Sequence, residues 1–534
     1  MIFGSRFDGP LARLQGSLGW LALTTVFLAV LPRGGDLPIV WTLLALSITG
    51  LFAVHVLFSF FRPAAIALSR AVWPALLFGA AVTWGLMQVL PPAPTALAHP
   101  VWALAPTGAI ARIGADPGQG AHVVLRLATY AMIAWLFVAC ALNEMRAWAY
   151  VKAIALFSML IALYAIWAMA GGSNPLSGVV RFGPSYTTGP FVSRNAYACY
   201  AAFGLFANIA VYLHYASRGL ERGGNRSSAL RAWLENLLRG GWIFLAGTLL
   251  CGAALALSQS RAGVASALLG LVVFAGCMLK RQRGAQTLVW IALVGLLSLI
   301  GYTYGQGTLE RLLAFESSGG RFEIYARMLP VIAERPLLGQ GIGAFHDTFR
   351  AHVPAELAHD DWLYAHNSYL ENAYELGLPA AAALYLALFL VTVQIAMGVR
   401  AAKHPHTRTS RPSKPGDARL DREPGEAEDG KPERNTAAAP GFAPGFAPGG
   451  TSGAPLDLNQ RGNDAPAPLD HDPILPAMAL AVLTTAAAHS VIDYPLQLPG
   501  VAALFAVLIG IGWAQSFSRD QRRSQPRSEM TNDI

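Results

Sequence analysis

Long apolar segments recur from one end of the chain to the other, and mostly short polar connections separate them. A helix that crosses a bilayer needs roughly 20 predominantly apolar residues, so each of these segments is a candidate span. The pattern predicts an all-α polytopic membrane protein with about 12 transmembrane helices. The predicted spans are residues 18–31, 39–61, 72–90, 123–142, 151–169, 196–213, 242–257, 264–278, 288–302, 369–397, 474–489 and 501–513.

Basic residues are concentrated in every second connection between these spans. Because cytoplasmic connections carry the excess of Lys and Arg, we expect both termini to be cytoplasmic and the odd-numbered connections to face the other side. The basic residues are Arg6 and Arg13 before the first span, then Arg62, Arg70, Arg146, Lys152, Arg218, Arg222, Arg226, Arg231, Arg239, Lys280, Arg281 and Arg283, and finally Arg519, Arg522, Arg523 and Arg527 after the last span.

Two connections are much longer than the others and divide the chain into blocks. One is rich in Pro, Ala, Gly and charged residues and repeats Gly-Phe-Ala-Pro at 441–444 and 445–448. Such a composition cannot bury enough apolar surface to fold, so we expect a disordered cytoplasmic insert without chemistry. The predicted blocks are 1–302 (spans 1–9), 303–368 (a large structured loop on the outer side), 369–399 (span 10), 400–472 (the insert), 473–517 (spans 11 and 12) and 518–534 (a cytoplasmic tail).

The composition supports a membrane protein and argues against nucleic-acid binding. Of the 534 residues, 54% are hydrophobic and only 13% are charged, whereas soluble domains carry about 25% charged residues. The net charge of +8 is explained by the basic connections, and the sequence contains no nucleic-acid fold signature. All four cysteines fall inside apolar segments without metal or disulfide spacing, which favours a packing role.

Four arginines lie at the predicted outer membrane edge. Arg261 is in the tight turn 258–263, and Arg321 opens a helix-like segment in the large loop. Each of these two arginines is either a solvated or snorkelling side chain or an anion-binding group. Anion binding is plausible chemistry for arginine, because the guanidinium group keeps its charge and binds phosphate through two parallel hydrogen bonds. Arg126 and Arg194 lie at the same edge, and Asn195 follows Arg194.

His366 is the strongest acid–base candidate, since a neutral imidazole is available near neutral pH to take a proton from a hydroxyl. It is followed by Asn367 and by Ser368-x-x-Glu371, which resembles a capping box at the start of span 10. His489 and Asp493, in the last outer connection, either line the same cavity or form a hydrogen-bonded turn. The remaining His and Asp residues of the large loop match no metal-ligand spacing, so we expect no metal site. The glycines at 339, 341 and 343 indicate a tight turn. We do not interpret them as a dinucleotide-binding loop, because the strand–turn–helix context of such a loop is missing.

Taken together, these motifs resemble the O-antigen ligase and polysaccharide polymerase superfamily of bacterial membranes. The matching segments are 191–195, 258–263, 320–325, 336–345, 365–377 and 489–499, and their order along the spans carries the resemblance. The resemblance implies an all-helical glycosyltransferase of the inner membrane whose site faces the periplasm, in the 303–368 loop. Its members take a glycan from undecaprenyl diphosphate without metal or cofactor. Ligases pass it to lipid A-core in lipopolysaccharide synthesis, polymerases to a growing O-antigen or exopolysaccharide chain, and related proteins to protein hydroxyls.

The resemblance also implies residue roles. The family's histidine corresponds to His366, and its two main arginines correspond to Arg261 and Arg321. Two other classes of function remain open from the sequence: a secondary transporter, which the number of spans fits, and a non-catalytic partner of a cell-envelope machine. Additional contacts to the lipid-linked donor are expected from Arg194, Asn195, Arg126, Asn367, His489 and Asp493.

Overall fold

The computed structural model describes residues 10–61, 68–178, 186–220, 240–278, 320–358, 361–403 and 472–517. This part of the chain is all-helical and contains no strand. Its α-helices are α1 (Pro10–Val30), α2 (Pro38–Phe61), α3 (Leu68–Val89), α4 (Pro117–Cys140), α5 (Glu144–Gly171), α6 (Arg194–Leu220), α7 (Trp242–Leu257), α8 (Arg261–Met278), α9 (Arg321–Glu334), α10 (Phe345–Phe349), α11 (Ser368–Leu376), α12 (Leu378–Lys403), α13 (Ile474–His489) and α14 (Pro499–Gln515).

Seven of the described helices are long and apolar enough to cross a membrane: α2, α3, α4, α5, α6, α8 and α12. Four shorter apolar helices, α1, α7, α13 and α14, coincide with further predicted spans. The predicted ninth span, 288–302, and the 400–472 insert apart from its ends lie outside the described residues. The prediction of an all-α membrane protein is therefore confirmed, whereas the number of 12 spans stays a prediction.

Three helices form the centre of the bundle. The apolar window of α6 is completely buried, and almost every residue of α13 and α14 is buried. Small residues allow these helices to approach closely: a Cβ on Gly270 of α8 would lie 2.7 Å from the carbonyl oxygen of Ala481 in α13. The outer helices instead expose large apolar side chains such as Leu46 and Phe389, as expected of lipid-facing surfaces.

The odd-numbered connections meet at one end of the bundle, which we call the site end. The connection after α1 reaches the one after α5, because Arg33 N–H donates to the Leu176 carbonyl at 2.8 Å. The latter reaches the end of α7 through a 3.0 Å bond from Thr187 N–H to the Leu257 carbonyl.

Basic side chains lie at the opposite end of the bundle. Arg70 stacks over Phe517, the last described residue of the chain, and Lys152 stacks over Tyr215. Arg146 lies beside Gly16 near the start of α1. These described basic residues of the second and fourth connections, and Lys152 of α5, therefore share one end of the bundle, whereas the orientation of that end stays a prediction.

The helix predicted for span 10 over 369–397 is interrupted, which corrects the sequence-based boundary. Gly377 separates α11 from α12 and adopts φ +78°, and a Cβ there would lie 2.6 Å from the Leu337 carbonyl oxygen. A side chain at this position would therefore clash as well as strain the backbone. The apolar span begins only at Leu378, and α11 packs outside it with α9 and α10 around Ile324, Phe345 and Tyr374.

Candidate functional site

Asp493 is the centre of a polar cluster at the site end. Its carboxylate is 3% exposed and accepts a short hydrogen bond from the Asn195 side-chain amide. Oδ2 lies 3.9 Å from Nη2 of Arg321, and Oδ1 lies 3.5 Å from Nδ1 of His366. Oδ1 also accepts the backbone N–H of Tyr494 at 2.9 Å. One buried carboxylate therefore joins the last connection to the start of α6, the start of α9 and the segment before α11.

The surroundings of Asp493 keep it ionised. Burial by itself raises the pKa of this carboxyl, but the His366 and His489 imidazoles and the Arg321 guanidinium outweigh that effect. The pKa of Asp493 is therefore below its ordinary value. A stable carboxylate charge at this position attracts a positive charge that forms beside it.

His366 is held in an unusual backbone conformation next to this carboxylate. Its φ is +55°, in the left-handed region, which costs a non-glycine residue about 1–2 kcal/mol. The Tyr325 hydroxyl donates to the His366 carbonyl at 2.6 Å, and burial raises the pKa of Tyr325 to about 12, so this hydroxyl stays protonated. The imidazole is 25% exposed. Because Nδ1 faces Asp493, Nε2 is the nitrogen left to accept a proton.

The Nδ1–Oδ1 separation of 3.5 Å is longer than a strong hydrogen bond, and Nδ1 has no well-aligned partner in the described residues. Such contacts in unliganded sites often shorten when substrate binds. The geometry therefore fits an ion pair that forms when His366 becomes protonated.

Arg321 is anchored from two sides and keeps part of its surface exposed. Its Nη1 donates to the Ile492 carbonyl at 2.9 Å, while Nη2 approaches Asp493. The side chain is 24% exposed, so its remaining donors have access to a ligand. Arg321 is also the first residue of α9, where the helix dipole adds partial positive charge.

The positions of Arg194 and Arg261 repeat this pattern, because each is the first residue of a helix. α8 and α6 touch near these starts: a Cβ on Gly263 would lie 2.5 Å from the Cβ of Ala198, one turn after Asn195. The N-terminal ends of α6, α8 and α9 therefore converge on the same end of the bundle, each opened by an arginine.

A second contact fixes where Arg261 lies. The Thr485 hydroxyl of α13 donates to the Ser266 carbonyl of α8 at 3.1 Å. His489 lies one turn after Thr485, at the end of α13. Arg261 lies just over one turn before Ser266, at the start of α8. The backbone of Arg261 therefore lies near the level of His489, at the site end.

The other residues expected to contact the donor differ in how closely they approach Asp493. Asn195 is in the cluster itself, whereas Arg194 stacks over Tyr186 with its guanidinium carbon 4.9 Å from the ring centroid. Arg126 stacks over Trp41 at the same distance, outside the direct contacts of Asp493.

Asn367 and His489 complete the list of expected contacts. The Asn367 side chain caps α11 by accepting the N–H groups of Tyr369 and Leu370, so the cap is Asn367 and not Ser368 as the sequence suggested. His489 is fully buried, and neither ring nitrogen has a hydrogen-bond partner among the described residues.

Aromatic side chains that the sequence analysis did not single out form a wall beside His366. Tyr494 meets the imidazole edge to face at 4.8 Å between ring centroids and stacks on Tyr364 at 4.2 Å. Trp362 contacts the imidazole from another side at 5.8 Å. The Arg126 charge lowers the pKa of Tyr364, although burial, the larger effect, raises it to about 12. The wall therefore links Arg126 indirectly to the cluster.

Glu371 ties the His366 segment to the last connection. Its two carboxylate oxygens accept the Ala365 N–H at 2.7 Å and the Gln497 side-chain amide at 2.6 Å. Glu375, one turn later, accepts the Phe345 N–H at 3.1 Å. Burial raises the pKa of both carboxyl groups, and the charge of Glu375 raises that of Glu371 further. These carboxylates position the loops that carry the site.

The remaining candidates of the large loop lie apart from this cluster. His346 pairs with Asp347 and Asp361 at 3.1 and 3.0 Å on an exposed surface, and no group of three or more potential metal ligands occurs in the described residues. The glycines at 339 and 341 make a tight turn, as expected: a Cβ on Gly339 would lie 2.2 Å from the Glu375 carbonyl oxygen.

Comparison with known protein families supports the same region. A family model described as O-antigen ligase matches residues 246–385, a range that contains Arg261, Arg321 and His366 but not Asn195 or Asp493. This match confirms the superfamily that the sequence motifs resemble. A search of curated proteins finds no match to the chain. The matched region supports a membrane glycosyltransferase of ligase or polymerase type.

Proposed function

We propose, from the match to the O-antigen ligase family, that this chain transfers a glycan from undecaprenyl diphosphate to an acceptor hydroxyl at the periplasmic face of the bacterial inner membrane. The acceptor is lipid A-core or a growing polysaccharide. The observation that carries the proposal is the pairing of His366 with the buried Asp493, beside Arg321 and at the convergence of three arginine-led helices.

In the proposed reaction His366 is the general base. Its Nε2 takes the proton of the acceptor hydroxyl as that oxygen attacks the anomeric carbon of the glycan. A new glycosidic bond forms, the bond to the diphosphate oxygen breaks, and its electron pair leaves with undecaprenyl diphosphate. Asp493 orients Nδ1–H and stabilises the imidazolium, as the carboxylate of a Ser-His-Asp triad does.

Positive charge at the leaving group supplies the other part of catalysis. Negative charge grows on the diphosphate as the glycosidic bond breaks, so a cation held there stabilises the transition state more than the ground state. We assign this role to Arg321 and Arg261, supported by the partial positive charges at the starts of α8 and α9. These groups supply the charge in a metal-independent displacement.

The lower-ranked contacts receive different roles. Arg194, at the start of α6, and Arg126, beside the aromatic wall, are proposed to contact the diphosphate or its first sugar. Asn195 and Asp493 are proposed to position His366 and Arg321, because a buried carboxylate would repel the phosphates. Asn367 and His489 support the segments on either side of His366.

The proposed topology follows the basic residues of the even-numbered connections. Arg70, Arg146 and Lys152 lie at the end opposite the site, as the positive-inside rule requires if that end is cytoplasmic. Both termini would then be cytoplasmic and the site periplasmic.

Transfer by the purified protein tests the function. The protein in nanodiscs is incubated with undecaprenyl-diphosphate-linked glycan and lipid A-core, with and without EDTA. We expect glycan on the acceptor and free undecaprenyl diphosphate, at the same rate with EDTA. An intact donor would support the transporter, provided that the same donor is consumed by an authentic ligase.

The glycan profile of a deletion strain separates the acceptors. Loss of long-chain lipopolysaccharide with accumulation of lipid-linked polymer indicates a ligase. Loss of chain extension indicates an O-antigen or exopolysaccharide polymerase, and loss of glycosylated protein alone indicates a protein O-oligosaccharyltransferase.

A further inference from the structure

The connection between α3 and α4 is unusually apolar for a segment outside a span. Residues 91–111 contain no Asp, Glu, Lys or Arg, and the same is true of the whole stretch between Arg70 and Arg112. The connection includes a 3-10 turn, Pro100–Leu104, and lies at the site end. A connection of this length at a water-exposed surface ordinarily carries charged residues.

Large apolar side chains of this segment are on its surface. Leu104 is 87% exposed and Ile110 is 54% exposed, and Leu97 and Val101 are exposed as well. Four exposed large apolar side chains in one short segment indicate an interaction site, because single exposed apolar residues are common but such groups are not. We refer to residues 91–111 as the apolar connection.

The apolar connection has a defined structure, so its exposed side chains do not result from an unfolded segment. Ala93 N–H donates to the Ala111 carbonyl and His99 N–H to the Arg112 carbonyl, both at 2.9 Å. The Trp102 indole donates to the Gly114 carbonyl at 3.1 Å. These bonds close the segment on itself while the aliphatic side chains point away from the protein core.

The opposite side of the apolar connection forms hydrogen bonds with Arg335 and Gln340, in the segment that follows α9. The His99 imidazole bonds the Gln340 side chain at 2.7 Å, and the Arg335 guanidinium donates to the Leu97 carbonyl at 3.1 Å. The apolar connection therefore has one polar, protein-facing side and one apolar, outward-facing side. This division is what an interfacial membrane segment has.

The apolar surface continues directly from a lipid-facing helix. Leu86 and Met87 in the last turn of α3, and Leu90 directly after the helix, are exposed on the bundle surface, and the apolar connection begins at residue 91. The first charged side chain after it is Arg112, which stacks on Trp102 with its guanidinium carbon 5.6 Å from the ring centroid. Continuity with the lipid-facing surface identifies the bilayer as the occupant.

We propose that the apolar connection lies in the membrane interface at the site end, with Leu104 and Ile110 inserted among the acyl chains. Because its other side holds Arg335 and Gln340, it fixes the depth of the segment 336–345 relative to the lipid surface. This proposal does not depend on the glycosyltransferase assignment.

Spin-label accessibility in nanodiscs tests the proposal. Cys277→Ala supplies the background, because the other three cysteines are buried. Labels are placed at Leu104→Cys and Ile110→Cys, with Leu46→Cys as a lipid-facing reference and Glu323→Cys, half-exposed on α9, as the control outside the membrane. Collision with oxygen and with a water-soluble nickel complex gives the depth of each label.

The labels at Leu104 and Ile110 are expected to collide with oxygen, to be protected from nickel, and to lie about 5–10 Å below the lipid phosphates. Nickel accessibility equal to that of the Glu323 label would overturn the proposal. Low accessibility to both reagents would also overturn it, because it would indicate a second copy of the chain covering this surface.

Discussion

Nδ1 of His366 lies 3.5 Å from Oδ1 of Asp493, although the two residues belong to different connections of the bundle. The contact requires the segment before α11 and the connection between α13 and α14 to lie side by side. A 2.9 Å bond from Ser368 N–H to the Ser490 carbonyl holds them there. The pairing gives the imidazole one oriented nitrogen and one available nitrogen.

Substitution of Asp493 by Asn tests whether this carboxylate orients His366. An amide keeps the shape but loses the charge that stabilises the imidazolium, so turnover is expected to fall by about 10²-fold. The KM for the lipid-linked donor should change little, because Asp493 is proposed to position His366 and Arg321 instead of touching the donor. Steady-state kinetics on purified protein measure both.

The matched control is Asp361→Asn, which removes a carboxylate paired with the exposed His346. This variant should keep wild-type turnover. An unchanged turnover in Asp493→Asn, or an effect confined to KM, would contradict the positioning role.

Arg321→Lys tests the need for a guanidinium. Lysine keeps the charge but cannot bond the Ile492 carbonyl, approach Asp493 and hold an oxygen of the diphosphate in one fixed geometry. We expect turnover to fall by about 10²-fold. Arg327→Lys on the same helix, where the arginine forms an exposed pair with Glu323, should be neutral. Equal activity of the two variants would show that only the net charge of α9 matters.

The buried Glu371 predicts a pH dependence of stability. Burial raises the pKa of Glu371, whereas a glutamate in the unfolded chain has a pKa of about 4.3. The native state therefore holds the proton to higher pH, and this contribution to the unfolding free energy is complete below about pH 4 and is lost as the pH rises through the raised pKa.

Glu371→Gln should flatten this pH dependence, because it cannot ionise. It should also lower the Tm at acidic pH, since the amide can accept only one of the two bonds from Ala365 and Gln497. Thermal unfolding between pH 4 and pH 8 measures both effects against the exposed control Glu334→Gln. Parallel curves for wild type and Glu371→Gln would mean that Glu371 is not the titrating group.

Deletion of residues 405–465 tests the expectation for the insert. Its composition predicts a segment without a packed core, and the proposed topology puts it across the bilayer from His366. Complementation of a deletion strain by the shortened protein should restore the glycan profile. Failure at normal membrane abundance would contradict either the topology or the composition-based prediction.

The short motifs that carry the site residues could be predicted from the sequence, but the long-range contacts that bring these residues together could not. The apolar pattern predicted eleven described helices, and the motifs around Arg261, Arg321 and His366 pointed to residues that lie at one end of the bundle. The central role of Asp493 could not be predicted, because its partners Asn195 and Arg321 come from remote parts of the chain. The sequence placed Asp493 only among the lower-ranked donor contacts, at a membrane edge where it either lines the same cavity or forms a hydrogen-bonded turn.

Local signals also misplaced one boundary. The predicted span continued through α11, whose Leu370, Ala373 and Tyr374 pack against α9 and α10, so Gly377 was not recognised as a break. The capping box was assigned one residue late: Asn367 caps α11, and Glu371 reaches the Ala365 N–H instead of the cap's own. Both errors arise because tertiary contacts, here to Leu337 and Gln497, determine which local option is used.

The most direct test is the rate of glycan transfer by His366→Ala in nanodiscs with purified lipid-linked donor and acceptor, compared with His346→Ala. His346 is an exposed histidine of the same loop that pairs with Asp347 and Asp361. We predict that His366→Ala loses about 10²–10⁴-fold in turnover while donor binding is retained, and that His346→Ala is unaffected. Wild-type transfer by His366→Ala would contradict the proposal that this imidazole, paired with Asp493, activates the acceptor.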